Sequence, residues 1–313
     1  MNFDIEKHII FECRSGSHAY GMATAESDED FRGVAIPPKD LFFGFLHKFE
    51  QKTTNDPDRV IFDIRKFFML AADCNPNIID LIFMPEDCFI KTTPYWDMIV
   101  NQRDLFLSTK AKFKFSGYAI SQLKRIKTHR GWLLNPPKGI PNRADFNLPI
   151  SQNDYTKLKS SINKSKDIGL DTMKIFSKEI EALHKYHQAM KHWANYLDWK
   201  SGRNKVRRDL EAKFGFDTKH AAHLVRLLRM GYEILSTGKV NVKRPDAEEL
   251  LAIRTHGIWT YDQLEEYANT MDASLTELYE KPNQILPRSV DKEKLDSLCV
   301  ETINAFFTDK GNK

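Results

Sequence analysis

Two rhythms of apolar and polar positions divide the chain. Up to about Tyr95 the apolar residues come in short, β-prone runs separated by turn residues. His8–Cys13 (HIIFEC) predicts a strand and Arg14–Ser17 a tight polar turn. Ser17–Ala23 suits a short helix capped by Ser17. After a turn at Thr24–Ser27, a second strand is predicted over Asp28–Ile36, stopped by Pro37 and Pro38. Arg59–Ile64 predicts a further strand running into an amphipathic helix over Arg65–Asp73, and Asn77–Phe83 a buried strand or short helix. Beyond Tyr95 the spacing becomes heptad-like. It predicts helices over Gly117–Lys127, Thr172–Trp199, Val206–Phe214, Thr218–Ser236, Asp246–Arg254, Tyr261–Met271 and Asp291–Phe307. The proline-rich stretch Leu134–Pro149 predicts a loop between helices. The class is therefore α+β, with an α/β lobe over residues 1–115 and a helical lobe over 116–313.

Composition narrows the setting. A chain of 313 residues suits two lobes, and 41% hydrophobic with 29% charged residues is the make-up of a globular protein. There is no long apolar run for a membrane span, and MNFDIEKHII lacks the basic start of a secretory signal, so a cytoplasmic protein is expected. Cys13, Cys74, Cys88 and Cys299 form no CxxC pair, which argues against a zinc knuckle or disulfide framework. The net charge of +4 permits a polyanionic partner where basic residues cluster.

The segment RSGSHAYGMATAESDEDFRGV carries the densest chemical pattern. Gly16 leaves room for phosphate near the backbone, Ser17 offers a hydroxyl, and the helix expected to follow would point its positive end there. Asp28 and Asp30, two apart on a strand, would share a face and could reach one pair of divalent cations, with Glu29 turned away. Ten residues, His18–Ser27, separate the Gly-Ser from the first aspartate. A strand–turn–helix–turn–strand needs about that many. An isolated acidic triplet is usually a solvated turn; the combination with Gly-Ser at this spacing is not.

This pattern resembles the nucleotidyltransferases of the DNA polymerase β superfamily. The fuller string GSHAYG…SDEDFRGV looks like the predicted nucleotidyltransferases found beside RNA ligases in bacteria and phages. Three later segments resemble that family too: Asn75–Phe83, Gly131–Pro149 and Asp217–Arg254. The resemblance implies a polymerase β-like lobe with a mixed sheet. It also implies Mg²⁺ or Mn²⁺ as cofactor, a nucleoside triphosphate as substrate and an acceptor hydroxyl, with an RNA end as the acceptor the family suggests.

Such enzymes usually place a third acid on a neighbouring strand, where it helps hold metal and accepts a proton. Asp63, at the end of RVIFD, is the candidate; Asp58 and Asp80 are rivals, and a helix cap is the structural alternative for Asp63. Asp80 lies in an apolar run and suits a buried pairing with an arginine. Arg32, on the strand face of the aspartates, could bind triphosphate or neutralise the acids, and His18 could touch the nucleotide. Tyr20 is expected to pack. On a helix over Thr218–Leu235, Lys219, His223 and Arg226 fall opposite the face made by Ala221, Leu224, Val225, Leu228, Tyr232 and Leu235. That basic stripe reads either as a solvated face or as a grip on triphosphate.

The runs Leu123–Arg130 and Lys200–Arg208, with Trp132, Trp193 and Trp199 near them, suit a nucleic acid or else a solvated face over a tryptophan core. Two other functional readings stay open. One is nucleotidyl transfer to a protein side chain or small molecule; the other is a nucleic-acid-binding module without catalysis.

Overall fold

The computed structural model describes residues 3–25, 27–148, 170–203 and 205–311. They fall into two compact units: Met1–Ile126 with Thr218–Lys313, and Lys127–Asp217. The first unit is built on a five-stranded sheet. Its centre is β1 (Ile9–Ser15), whose first five residues are buried. β2 (Asp30–Ala35) runs antiparallel to β1, and β4 (Asp58–Asp63) runs parallel to β2. β3 (Gln51–Asn55) lies antiparallel along β4 at one edge, and β5 (Phe89–Lys91) along β1 at the other. The order β3-β4-β2-β1-β5 is the mixed sheet of an α+β fold.

α2 (Ile64–Ala72) and α4 (Pro94–Val100) pack their apolar sides on the sheet, α3 (Pro76–Ile82) packs on α2, and the short α1 (Lys39–Phe43) follows β2. α2 begins where Asp63 takes the backbone N–H groups of Arg65 and Lys66 at 2.7 and 3.3 Å. α3 begins at an Asn75 cap with Pro76 in its first turn. Under them, Phe11 stacks on Trp96 at 4.1 Å and Trp96 meets Phe67 at 5.4 Å.

α5 (Ala111–Leu134) starts in this unit. The chain returns to the unit with α8 (Thr218–Thr237), α9 (Ala247–His256), α10 (Tyr261–Glu280) and α11 (Lys292–Gly311). α11 lies against α2 and α4, where Phe306 meets Tyr95 at 5.3 Å and the Tyr95 hydroxyl donates to Asp309 at 2.8 Å. The compact units thus divide the chain elsewhere than at residue 115. The apolar faces of the last four helices are satisfied by the sheet lobe and by one another.

The second unit contains the later turns of α5, α6 (Leu170–Ser201) and α7 (Lys205–Phe214). Trp132, Tyr196 and Trp199 form its aromatic centre, with Trp132 and Trp199 5.3 Å apart and His129 stacked on Trp132 at 5.5 Å. Residues 135–148 form the expected loop, tightened by a 3₁₀ turn at Arg143–Phe146; Pro149 lies outside the described residues.

Two expectations are corrected, and one strand was not anticipated. Ser17–Ala23 is not a helix: Tyr20 N–H bonds back to Gly16 and Met22 N–H to Ser17, giving one turn that Gly21 ends at φ 72°. With a left-handed glycine at each end, too few residues remain for a second turn. β2 starts at Asp30, so Asp28 lies on the loop before it. β3 had no apolar alternation to reveal it; all five of its residues are exposed.

All four cysteines are free and buried. Burial pushes the Cys299 thiol up to about 12 and the Cys13 thiol higher still. Among the described residues no helix is long and apolar enough to cross a membrane.

Gly33 in β2 sits where a Cβ would collide with the Phe11 carbonyl oxygen of β1 and with Ile61. The backbone oxygen cannot move aside without breaking the ladder. Gly33→Ala is expected to lower stability by about 1–3 kcal/mol, read as a fall in the urea midpoint with an unchanged m-value.

Candidate active site

The turn after β1 and the start of β2 meet because β1 and β2 pair from Ile9–Ala35 through to Ser15–Asp30. Gly16 follows at φ 65°, a conformation that favours glycine. A side chain there would strike the Asp30 carboxylate, so the missing Cβ is what lets this acid lie against the turn. Asp28 and Asp30 line one cleft of about 400 Å³ with Ser15, Gly16 and Ser17. Glu29 turns away and pairs with Arg14 at 3.5 Å.

The opposite wall is cationic. Lys219, His220, His223 and Arg226 of α8 line it, joined by Arg125 of α5 and Arg254 of α9. All these residues belong to the first unit. Arg125 donates to His220 Nε2 at 3.2 Å.

The acids feel one another. Burial pushes the Asp30 carboxyl up, Asp58 and Asp28 push it further, and Arg32 and Lys219 oppose them. Asp58 sits directly across from Asp30 in the parallel β2–β4 pairing, which puts both on one face of the sheet. Arg32 forks onto Asp58 with bonds of 3.2 and 3.0 Å, and it also lines the cleft.

Asp63, the expected third acid, is not part of this group. It lies at the far end of β4, 2% exposed, capping α2 and held by Arg65 at 3.0 Å. The cap alternative describes its position, because the strand ends there and the first N–H groups of α2 need an acceptor. His18 is not among the cleft-lining residues, and its Nδ1 is buried without a hydrogen-bond partner among the described residues.

Arg226 does not present a free guanidinium to the cleft. It is 2% exposed, stacks over the Tyr20 ring at 3.7 Å and bonds Asp80 at 3.3 Å. Tyr20 donates its hydroxyl to the same Asp80 oxygen at 2.7 Å. Burial pushes the Asp80 carboxyl up and Arg226 draws it down. Tyr20 and Asp80 therefore have the packing and pairing roles expected of them.

His223 is different. Burial, followed by the charges of Arg226, His220, Lys219 and Arg125, takes its imidazole down to about 3. Its Nε2 is buried with no partner among the described residues. A neutral, unpaired imidazole among cations is an arrangement that an anion would relieve.

Arg125, His220 and Arg254 belong to the cleft but were not singled out for it by sequence. Arg125 lay inside the basic run Leu123–Arg130 and Arg254 at the end of Asp217–Arg254, with nothing local to separate them from surface charge.

A second acid cluster lies in the other unit. His129, Glu211 and Asp217 are buried, with possible ligand atoms all within 4.8 Å of one another. Arg203 pairs with Glu211 and Arg207 with Asp217, so these carboxylates already have cationic partners. The chemistry is that of a salt-bridged hub.

Comparison with known proteins bears on this geometry. Residues 3–132 match the model of the RNA repair pathway DNA polymerase beta family. The resemblance read from GSHAYG and SDED is therefore shown over that stretch, which holds the turn, Asp28, Asp30 and Asp58. An uncharacterized 38.9 kDa protein from the nrdC–mobD intergenic region of Enterobacteria phage T4 is 31% identical over 122 residues, 35% of this chain. The chain spans about a third (36%) of that relative's length. No solved structure matches significantly.

Two outcomes are expected. Arg226→Met leaves Asp80 buried without its cation and costs about 3–5 kcal/mol in urea unfolding; adding Asp80→Asn restores part of the loss. His223 holds its proton less tightly when folded than when unfolded. Its contribution is nil above about pH 6.5, and stability falls as pH drops from there toward 3, by up to about 1.4 kcal/mol per unit. His223→Gln removes that slope, seen by comparing urea midpoints at neutral and acidic pH.

Proposed function

We propose, from the family match over residues 3–132, that this chain is a metal-dependent nucleotidyltransferase. It moves a nucleoside monophosphate from a triphosphate to an acceptor hydroxyl, with an RNA end as the acceptor. One observation carries the reading. Two aspartates lie against a glycine-serine turn and face a wall of cations across a single cleft.

The residues fit divalent metal. Asp28, Asp30 and Asp58 offer hard oxygen donors whose mutual repulsion, seen at Asp30, a cation would offset. The space a Cβ would fill at Gly16 lies beside the Asp30 carboxylate. Mg²⁺ or Mn²⁺ bound there supplies charge neutralisation at the reacting phosphate and makes the acceptor hydroxyl more acidic.

The chain does the rest. The Gly16 backbone and the Ser17 hydroxyl receive the polyphosphate, and Lys219, Arg125 and Arg254 hold its charge from across the cleft. His223 Nε2 provides a hydrogen-bonding partner for a phosphate oxygen. Arg226 positions α8 through Asp80 and Tyr20 and does not touch phosphate. Asp58 takes the place first given to Asp63. It accepts the proton of the attacking hydroxyl while Arg32 orients it. The acceptor oxygen attacks the α-phosphorus in line, and pyrophosphate leaves with the bonding electron pair.

The test is transfer of label from α-labelled triphosphates, with magnesium, to RNA, to protein or to small molecules of a cell extract. Label on RNA is the expected result; label on protein or a small molecule would move the acceptor, and no label anywhere would sink the reading. Asp28→Ala, Asp30→Ala and Asp58→Asn should each cut the rate by about 10³-fold or more, and chelation should abolish it. Asp63→Ala should keep the rate and lower stability by about 1 kcal/mol through the lost helix cap.

A further inference from the structure

The net charge of the chain is unevenly spread. Residues 127–217 hold eighteen Lys and Arg against ten Asp and Glu, a net +8, and the rest of the chain is at −4. A basic unit on an otherwise acidic chain is the electrostatic footprint of a polyanion partner. The same unit holds three of the five tryptophans of the chain.

Aromatic rings of this unit pack on one another, but Trp193 and Phe146 are left half-covered. A cleft of about 450 Å³ in this unit is lined by Phe146, Trp193, His192, Gln188, Lys185 and Pro141. Trp193 and Phe146 are only partly buried, each packed against one tyrosine: Tyr196 at 5.6 Å and Tyr186 at 5.7 Å. Rings that are not fully covered can still receive a planar partner. His192 accepts the Trp132 indole N–H at 2.7 Å through Nε2, which leaves its other ring nitrogen as an N–H donor. Gln188 adds amide donors and an acceptor. Among the described residues Lys185 pairs with Glu181 at 2.7 Å; both are well exposed, so the pair is weak.

A solvated helix needs neither the cleft nor its half-covered rings. Aromatic faces, neutral hydrogen-bonding groups and excess positive charge together are what single-stranded nucleic acid requires: stacking for bases, edges for hydrogen bonds, and cations for phosphates. We propose that this cleft of the second unit docks single-stranded nucleic acid, with a base stacked on Trp193 beside Phe146 and phosphate held by Lys185. This goes beyond the transfer chemistry and stands whether or not transfer occurs, because the two clefts lie in different units.

The test uses the full chain carrying Asp28→Ala, without triphosphate and with chelator. Short fluorescein-labelled oligouridylate and oligothymidylate are titrated by anisotropy, with labelled polyglutamate and duplex RNA as comparisons. The single strands should bind at least tenfold tighter than polyglutamate. Trp193→Ala should weaken them about tenfold and Trp193→Phe should restore most of the loss, which separates stacking from misfolding. Lys185→Glu should weaken binding and lower the slope of log affinity against log salt by about one. The ratio between the two oligonucleotides tells RNA from DNA as the source.

Binding equal in Trp193→Ala, or polyglutamate or duplex held as well as single strands, would overturn the proposal. Wild-type protein that binds oligonucleotide but transfers no label leaves this inference standing and removes only the transfer reading. Protein that transfers label with Trp193→Ala without effect does the reverse.

Discussion

A single buried guanidinium ties the two walls of the aspartate-bearing cleft together. Arg226 comes from α8, the helix that supplies most of the cationic wall. Its partners are Asp80 on α3 and Tyr20 in the turn that follows Gly16. Removing a charge from water is costly, and here the cost is offset by an acid and an aromatic face in contact. The geometry of the cleft follows from that offset. The helix that carries Lys219 and His223 is fixed against the turn that carries Ser17, and neither can drift without stranding Asp80.

Charge of opposite sign is kept apart on the two sides. The aspartates crowd one another at the start of β2 and β4, and among the described residues Arg32 forks onto Asp58. The cations of α8, α5 and α9 stand across the opening, and burial, aided by those of α8 and α5, holds His223 neutral. Both sides are electrostatically unfinished without a guest. A cation on the acid side and a polyanion on the basic side would complete them together, which is the composition of a metal–triphosphate complex.

Much of this was legible in the sequence, for reasons that can be named. β1 and β2 announced themselves because apolar β-prone runs lay between a glycine turn and two prolines. The cleft acids announced themselves through a spacing that local rules constrain. What sequence could not supply was register. Choosing between Asp58 and Asp63 requires knowing which end of β4 lies beside Asp30, and only the parallel pairing fixes that. The helix predicted over Ser17–Ala23 failed because two left-handed glycines leave room for one turn. The stripe Lys219, His223 and Arg226 read equally as a solvated face or a grip on triphosphate, because periodicity marks only the apolar side. In α8 its members grade from exposed Lys219 through half-buried His223 to buried Arg226, which spacing alone does not give. β3 stayed hidden because an exposed edge strand needs no apolar pattern.

The thiols bear on how the molecule behaves as a whole. Each of the four is sealed in packed surroundings, and none pairs with another. Since only the thiolate reacts, and burial disfavours it, an alkylating reagent finds no target in the closed molecule. Cys13 lies in the central strand, Cys74 between α2 and α3, Cys88 just ahead of β5, and Cys299 in the closing helix. The chain thus carries four sentinels, all within the sheet-bearing unit, whose modification registers each breach of that core and which ambient oxidant leaves untouched in between.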